Sequence, residues 1–253
     1  IMGWEVGRYA VKGLLSKIPI DAKEIGHVIM GTVVADVKTT NVAREIMLGA
    51  GLPCTIPAHT NTVACISAGL AIANAANMIV CGDADAVIAG GVETFSDPPI
   101  KVSEAYRRFI LDMTMFKRPK TLGGKLRLLR KMKFKDFVMP ERPALGEYST
   151  GLIMGQNADR LAKRLGISRA DQDAYAVMSH RRAAEAIKKG KIKDEMVPIV
   201  VSGQARAITT DNGPHPDATA ESLARLKGAF DRRYGTVTAA NSSFLTDGAA
   251  AVL

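Results

Sequence analysis

HTNTVACISAGLAIANAAN, residues 59–77, decides how this chain is read. Within a few positions a run rich in β-branched residues gives way to an alanine-rich stretch, and Cys65 stands at the junction. TIPAHTNTV (55–63) reads as a strand. ACISAGLAIANAANMIV (64–80) is apolar nearly all round, the mark of a fully buried helix. Working outward, HVIMGTVVA (27–35) is a continuous buried strand, and TNVAREIMLGAG (40–51) is a helix closed by Gly49 or Gly51. EVGRYAVKGLLSK (5–17) carries helical spacing, and AVIAGGVE (86–93) is another short buried strand ending near two glycines. Alternating strands and helices of this kind argue an α/β fold with a largely parallel sheet.

The pattern breaks after Glu93. Residues 94–150 are basic, Met-rich and irregular, with prolines at 98, 99, 119, 140 and 143. Helix returns at 154–165 and again from about 169 to 189, with Ser168 and Asp171 as a capping box and Gly190 as the stop. Residues 195–235 read as loop-rich, with a turn at 211–214, and GTVTAANSSFLTDGAAAVL (235–253) returns to strand and turn character. A chain that opens on a helix and closes inside an apparent strand reads as a segment of something longer.

Composition narrows the class. With 47% hydrophobic and 23% charged residues, the 253-residue chain has ample material for a core. No run of about 18 apolar residues is evident, so no transmembrane helix is expected. Glu5, Arg8, Lys12 and Lys17 interrupt the first twenty residues, which excludes a signal peptide there. Three cysteines imply a reducing compartment without a disulfide framework. Cys54, Cys65 and Cys81 match no zinc spacing, and His27, His59, His180 and His215 do not cluster along the chain, so no metal site is expected. The net charge of +9 is local: residues 101–135 hold twelve basic and two acidic side chains, and the remainder sums to −1. Its amphipathic stretches, 105–116 and 125–134, suit an anionic membrane, an acidic partner helix or the phosphates of a nucleotide-like ligand, beside the plain alternative of a solvated basic face. No nucleic-acid motif accompanies them.

Cys65 opens the predicted helix 64–80, where unpaired N–H groups and the helix dipole favour a thiolate. The alternative is simple packing, which is the reading for Cys54 and Cys81. Gly123-Gly124-Lys125 lacks the first glycine and the Ser/Thr of a phosphate loop, and Gly90-Gly91 belongs to no dinucleotide fingerprint.

Eight stretches in order resemble the thiolase family across essentially the whole chain: HVIMGTVV, NVAREIMLGAG, PAHTNTVACISAGLAIA, DAVIAGGVETFSD, MGQNADRLA, SRADQDAYAVMSHRRAAEA, KIKDEMVPIVV and GTVTAANSSFLTDGAAAVL. The ACIS context of the cysteine and the long basic insertion look most like the trifunctional-protein β-subunit type. The resemblance implies a thiolase-like fold. One α/β half (1–93 and 236–253) would carry an inserted, mainly helical, CoA-binding loop domain (94–235), with the C-terminal half absent.

It also implies a reaction, thiolytic cleavage of 3-ketoacyl-CoA or the reverse condensation through an acyl-cysteine, with CoA as substrate and no resident cofactor. Cys65 matches the nucleophile, Ser243 a contact to the pantetheine arm, and Met154 a residue of the same tunnel. His215 falls near an arginine that holds the nucleotide end of CoA in short-chain members, and Ile153 stands where those members often have His. Both departures lean toward a long-chain degradative type. The asparagine, histidine and second cysteine of the family's second half are not among these 253 residues. The family further implies a homodimer or homotetramer, in the bacterial cytoplasm or the mitochondrial matrix. Two rivals share the fold: a condensing enzyme acting on carrier-protein thioesters, and a non-catalytic module that binds lipid or a partner.

Overall fold

The computed structural model describes residues 1–138, 146–203 and 205–253. The chain divides into two compact units, Ile1–Asp97 with Leu145–Leu253, and Pro98–Ala144.

The first unit is built on four strands: β1 (Ile25–Gly31), β2 (Ala58–Asn61), β3 (Ala86–Glu93) and β4 (Gly248–Val252). Their order is β2-β1-β3-β4. The first three run parallel and β4 pairs antiparallel with β3, so the expected α/β fold is present as a mixed, mostly parallel sheet. Side chains alternate across it. Val28 and Met30 of β1 face helices α1 (Gly3–Lys17) and α2 (Val42–Ala50), packing with Val11, Ile46 and Met47. Ile29 points the other way, to Ala71 and Ala75 of α3 (Ser67–Val80). Asn41 caps α2 by accepting from the Arg44 N–H at 3.2 Å, and Gly51, at φ 90°, closes it.

α3 departs from expectation. It buries Ser67, Ala71 and Ala75, at i, i+4 and i+8, while Ile72, Ile79 and Val80 are exposed. An all-apolar pattern shows that every face tolerates burial, but the sheet covers only one. Among the described residues the span 64–81 is also long and apolar enough by composition to cross a membrane, contrary to the sequence reading. The helix within it has 14 residues, about 21 Å, short of a hydrocarbon core of about 30 Å.

The rest of the unit comes from α7 (Met154–Leu165), α8 (Arg169–Lys188) and the short α9 (Ala220–Ala224). Ser168 and Asp171 form the expected capping box, the Ser168 oxygen accepting from the Asp171 N–H at 3.1 Å. The second unit holds α4 (Glu104–Leu111), α5 (Leu122–Leu129) and α6 (Phe134–Val138). Ser103 caps α4 and also donates to the Asp136 carbonyl at 2.7 Å, and Tyr106 packs on Phe137 at 5.1 Å between ring centres. A π-helical turn, 112–116, follows α4; the Lys117 and Arg118 N–H groups both close on the Asp112 carbonyl.

Candidate active site

Ser67 fixes where α3 begins. Its hydroxyl accepts from the Val63 N–H at 2.8 Å and donates to the Ala64 carbonyl at 2.6 Å, folding 63–66 into a tight turn. Ala64 adopts φ 46°, a left-handed conformation that costs a non-glycine residue about 1–2 kcal/mol. Cys65 therefore lies just ahead of the helix, two residues before Ser67, and not in its first turn as the sequence suggested. The thiol is exposed.

Two glycines seat this turn on the sheet. A Cβ at Gly31 would lie 2.4 Å from the Ser67 carbonyl carbon, and one at Gly91 would lie 2.7 Å from the Ala68 Cβ. Only bare backbone at the ends of β1 and β3 lets the start of α3 come so close. The turn thus overlies the carboxyl ends of the parallel strands, where ligands bind in open α/β sheets. An open cleft of about 450 Å³ forms there, bounded by Cys65, Thr32, Val33, Gly90, Glu93 and the residues of β4.

In the sequence Glu93 reads only as the end of a glycine-bearing strand. Its carboxylate accepts from the Val33 N–H at 2.7 Å and the Val34 N–H at 3.2 Å, tying the loop after β1 to the cleft rim. The same bonds explain why β1 stops at Gly31 although 27–35 reads as one strand. The readable signal is an acid at the last position of a buried strand.

Ser243, Met154 and His215 are not part of the cleft lining. Ser243 is exposed, its hydroxyl reaching only the Phe244 carbonyl at 3.5 Å, and Met154 begins α7 at 52% exposure. The passage leading to Ser243 is nevertheless firmly held. Asp159 of α7 accepts from the Thr236 and Val237 N–H groups at 2.8 and 2.9 Å. Asp173 of α8, 3% exposed, pairs with Arg169 at 2.8 Å and accepts from the Asn241 amide at 3.0 Å. Asn241 in turn takes the Thr238 N–H at 2.7 Å and donates to the Thr236 carbonyl at 2.9 Å. Beyond it, Asp247 accepts from the Phe95 and Ser96 N–H groups at 2.7 and 3.0 Å. Burial opposes ionisation of Asp247, but the hydrogen bonds from Ser96 and Phe95 outweigh it and hold its pKa below the ordinary 3.8.

The histidines, unclustered in sequence, meet in pairs. His27 Nε2 faces His59 Nδ1 at 2.9 Å, and burial, followed by the neighbouring His59, lowers the His27 pKa below 6.5. The His215 backbone N–H donates to His180 Nδ1 at 3.2 Å.

Residues 2–253 match the family described as thiolase, N-terminal domain. The chain belongs to the thiolase family. It is 47% identical to the mitochondrial trifunctional enzyme subunit beta of Mus musculus, over all of this chain and 52% of that protein. It is 43% identical to a 3-ketoacyl-CoA thiolase of Vibrio cholerae, over 98% of this chain and 56% of that one. The crystal structure of the Bacillus anthracis acetyl-CoA acetyltransferase matches with a TM-score of 0.78 at 28% identity, over 99% of this chain and 58% of that one. The chain spans about half the length of the relatives it matches. The thiolase resemblance drawn from eight short motifs is therefore the family found, and the mixed sheet described above is that of a thiolase N-terminal half.

Proposed function

We propose that this chain is the nucleophile-bearing half of a 3-ketoacyl-CoA thiolase acting in fatty-acid β-oxidation. One observation carries the reading: an exposed Cys65 at the mouth of a cleft, in a turn that Ser67, Gly31 and Gly91 all serve to hold. The Cys65 thiolate attacks the 3-keto carbon, and the backbone N–H of Cys65 is a candidate donor to the oxyanion that forms. Collapse breaks the bond between C2 and C3. The acyl group stays on sulfur as a thioester, while acetyl-CoA departs as an enolate that takes up a proton. The thiol of a second CoA then attacks the thioester, receives the acyl group and returns Cys65. General acid and base for these transfers, worth about 10²–10⁴-fold, are expected from the part of the family's length that this chain does not span.

CoA itself is assigned to the insertion 94–235 and to Ser243, Met154 and His215, with acyl-CoA and CoA as the small-molecule partners. A homodimer or homotetramer is the expected assembly. Residues 101–135 are assigned to an anionic membrane surface, with a partner subunit as the alternative. The test is mass spectrometry after incubation with acetoacetyl-CoA, on this chain together with a thiolase C-terminal half that supplies the acid and base. An acetyl group on Cys65, and none on Cys54 or Cys81, is the expected result. An unmodified Cys65 would point to a non-catalytic module, and labelling from an acetoacetyl carrier protein but not from the CoA ester would point to a carrier-dependent condensing enzyme.

A further inference from the structure

We infer that His27 and His59 form a two-histidine clamp for a divalent transition-metal ion with right-angled coordination positions, of the Cu(II) or Ni(II) class. The two rings stand on neighbouring parallel strands. His59 is opposite Ile29 in the β1–β2 register, and His27 lies two residues before Ile29, so both side chains project to the face of the sheet that α3 covers. His59 is exposed and His27 half-buried, which leaves the pair open to solvent on one side.

The separation is that of a hydrogen bond in the free pair, and it is also one that a right-angled ion can span once the rings turn. His27 Nε2 and His59 Nδ1 lie 2.9 Å apart. With metal–nitrogen bonds of about 2.05 Å that spacing subtends roughly 90°, the cis angle of square-planar and octahedral ions, whereas a tetrahedral zinc ion needs nitrogens about 3.3 Å apart. In the free protein one facing nitrogen carries the proton of an N–H···N hydrogen bond. On binding, that proton moves to the far nitrogen of its own ring, both facing lone pairs swing onto the metal, and no net charge leaves the protein. Among the described residues no third His, Cys, Asp or Glu joins the pair, so water completes the coordination shell and the affinity is that of a bidentate chelate. The other histidine pair is a built-in control. His180 Nδ1 already accepts the His215 backbone N–H, and its ring centre is 5.3 Å from that of His215.

The experiment uses the full chain without an affinity tag, its three exposed cysteines first blocked with N-ethylmaleimide. Ni(II) is titrated calorimetrically at mildly alkaline pH, where imidazole is neutral, and Cu(II) loading is followed by electron paramagnetic resonance. One saturable site with two equatorial nitrogens on copper is expected. His27→Gln and His59→Gln should each weaken Ni(II) binding by about tenfold or more, and the His180→Gln/His215→Gln double variant should leave it unchanged. His59 is exposed, so its variant decides the matter even if the His27 variant fails to fold. Binding by His59→Gln equal to the parent, or a copper spectrum unaltered in that variant, overturns the proposal.

Discussion

Ser67 does more for the proposed site than its buried position suggests. Its hydroxyl accepts one bond and donates its only proton within the turn around Cys65. Ser67→Ala leaves the Val63 N–H and the Ala64 carbonyl without that partner and frees Ala64 to leave its left-handed conformation. We expect a stability loss of about 1–2 kcal/mol and slower alkylation of Cys65 by iodoacetamide, with Cys54 and Cys81 unchanged as internal references. Equal rates at Cys65 in parent and variant would show that the turn does not need Ser67. Asp247 allows a prediction in pH. Its folded pKa lies below the ordinary carboxylate value, so its stabilisation is complete above that value and is lost as pH falls through the folded one. The melting temperature of Asp247→Asn should therefore fall less steeply than that of the parent as the solution is acidified. Parallel melting curves across the acid range would rule out a role for this carboxylate in joining β4 to the end of β3.

At the scale of elements, strong local signals were legible and tertiary ones were not. β3, α7 and the start of α8 stand where periodicity and capping chemistry put them, because glycines, a serine cap and a change of period mark their ends. α3 begins three residues later than its pattern predicts, since nothing local reveals that Ser67 folds back on Val63. β2 is four residues long although a nine-residue stretch reads as strand, because its pairing to β1 spans only Ala58–Asn61. The nucleophile candidate is legible as pattern, while Glu93, Asp159 and Asp173 are not: the first two hold distant backbone N–H groups, and Asp173 holds the side-chain amide of Asn241, 68 residues on. Asp173 is the sharpest case: a buried carboxylate joining α8 to the segment 236–241 through Asn241. Removing one member of a buried, hydrogen-bonded ion pair costs about 3–5 kcal/mol. Asp173→Ala should lower stability toward urea by that order and strip hydrogen-exchange protection from residues 236–243, with Asp173→Asn intermediate. Unchanged exchange there would mean that Asp159 alone holds the segment.

At the scale of the whole molecule the charge is the telling quantity. Pro98–Ala144 holds thirteen basic and four acidic side chains, so the entire +9 resides in that unit and the other is neutral. The cations accompany exposed apolar side chains. On α5, Leu122, Leu126 and Leu129 are 75%, 50% and 46% exposed at i, i+4 and i+7, and Arg127, Arg130 and Lys131 beside them are exposed too. An apolar stripe flanked by cations is the pattern of a helix lying in a membrane interface, whereas a merely solvated face gains nothing from bare leucines. Near an anionic leaflet each cation contributes roughly 1 kcal/mol, so losing three weakens binding by about a hundredfold, and reversing them weakens it further. The triple change of Arg127, Arg130 and Lys131 to Glu should abolish sedimentation with phosphatidylserine vesicles while leaving the melting temperature within a few degrees of the parent. Raised salt should reproduce part of the loss in the parent protein, because the charge contribution is screened and the leucine contribution is not. Vesicle binding that survives the reversal would remove the membrane from the account and leave an acidic partner subunit as the occupant of this surface.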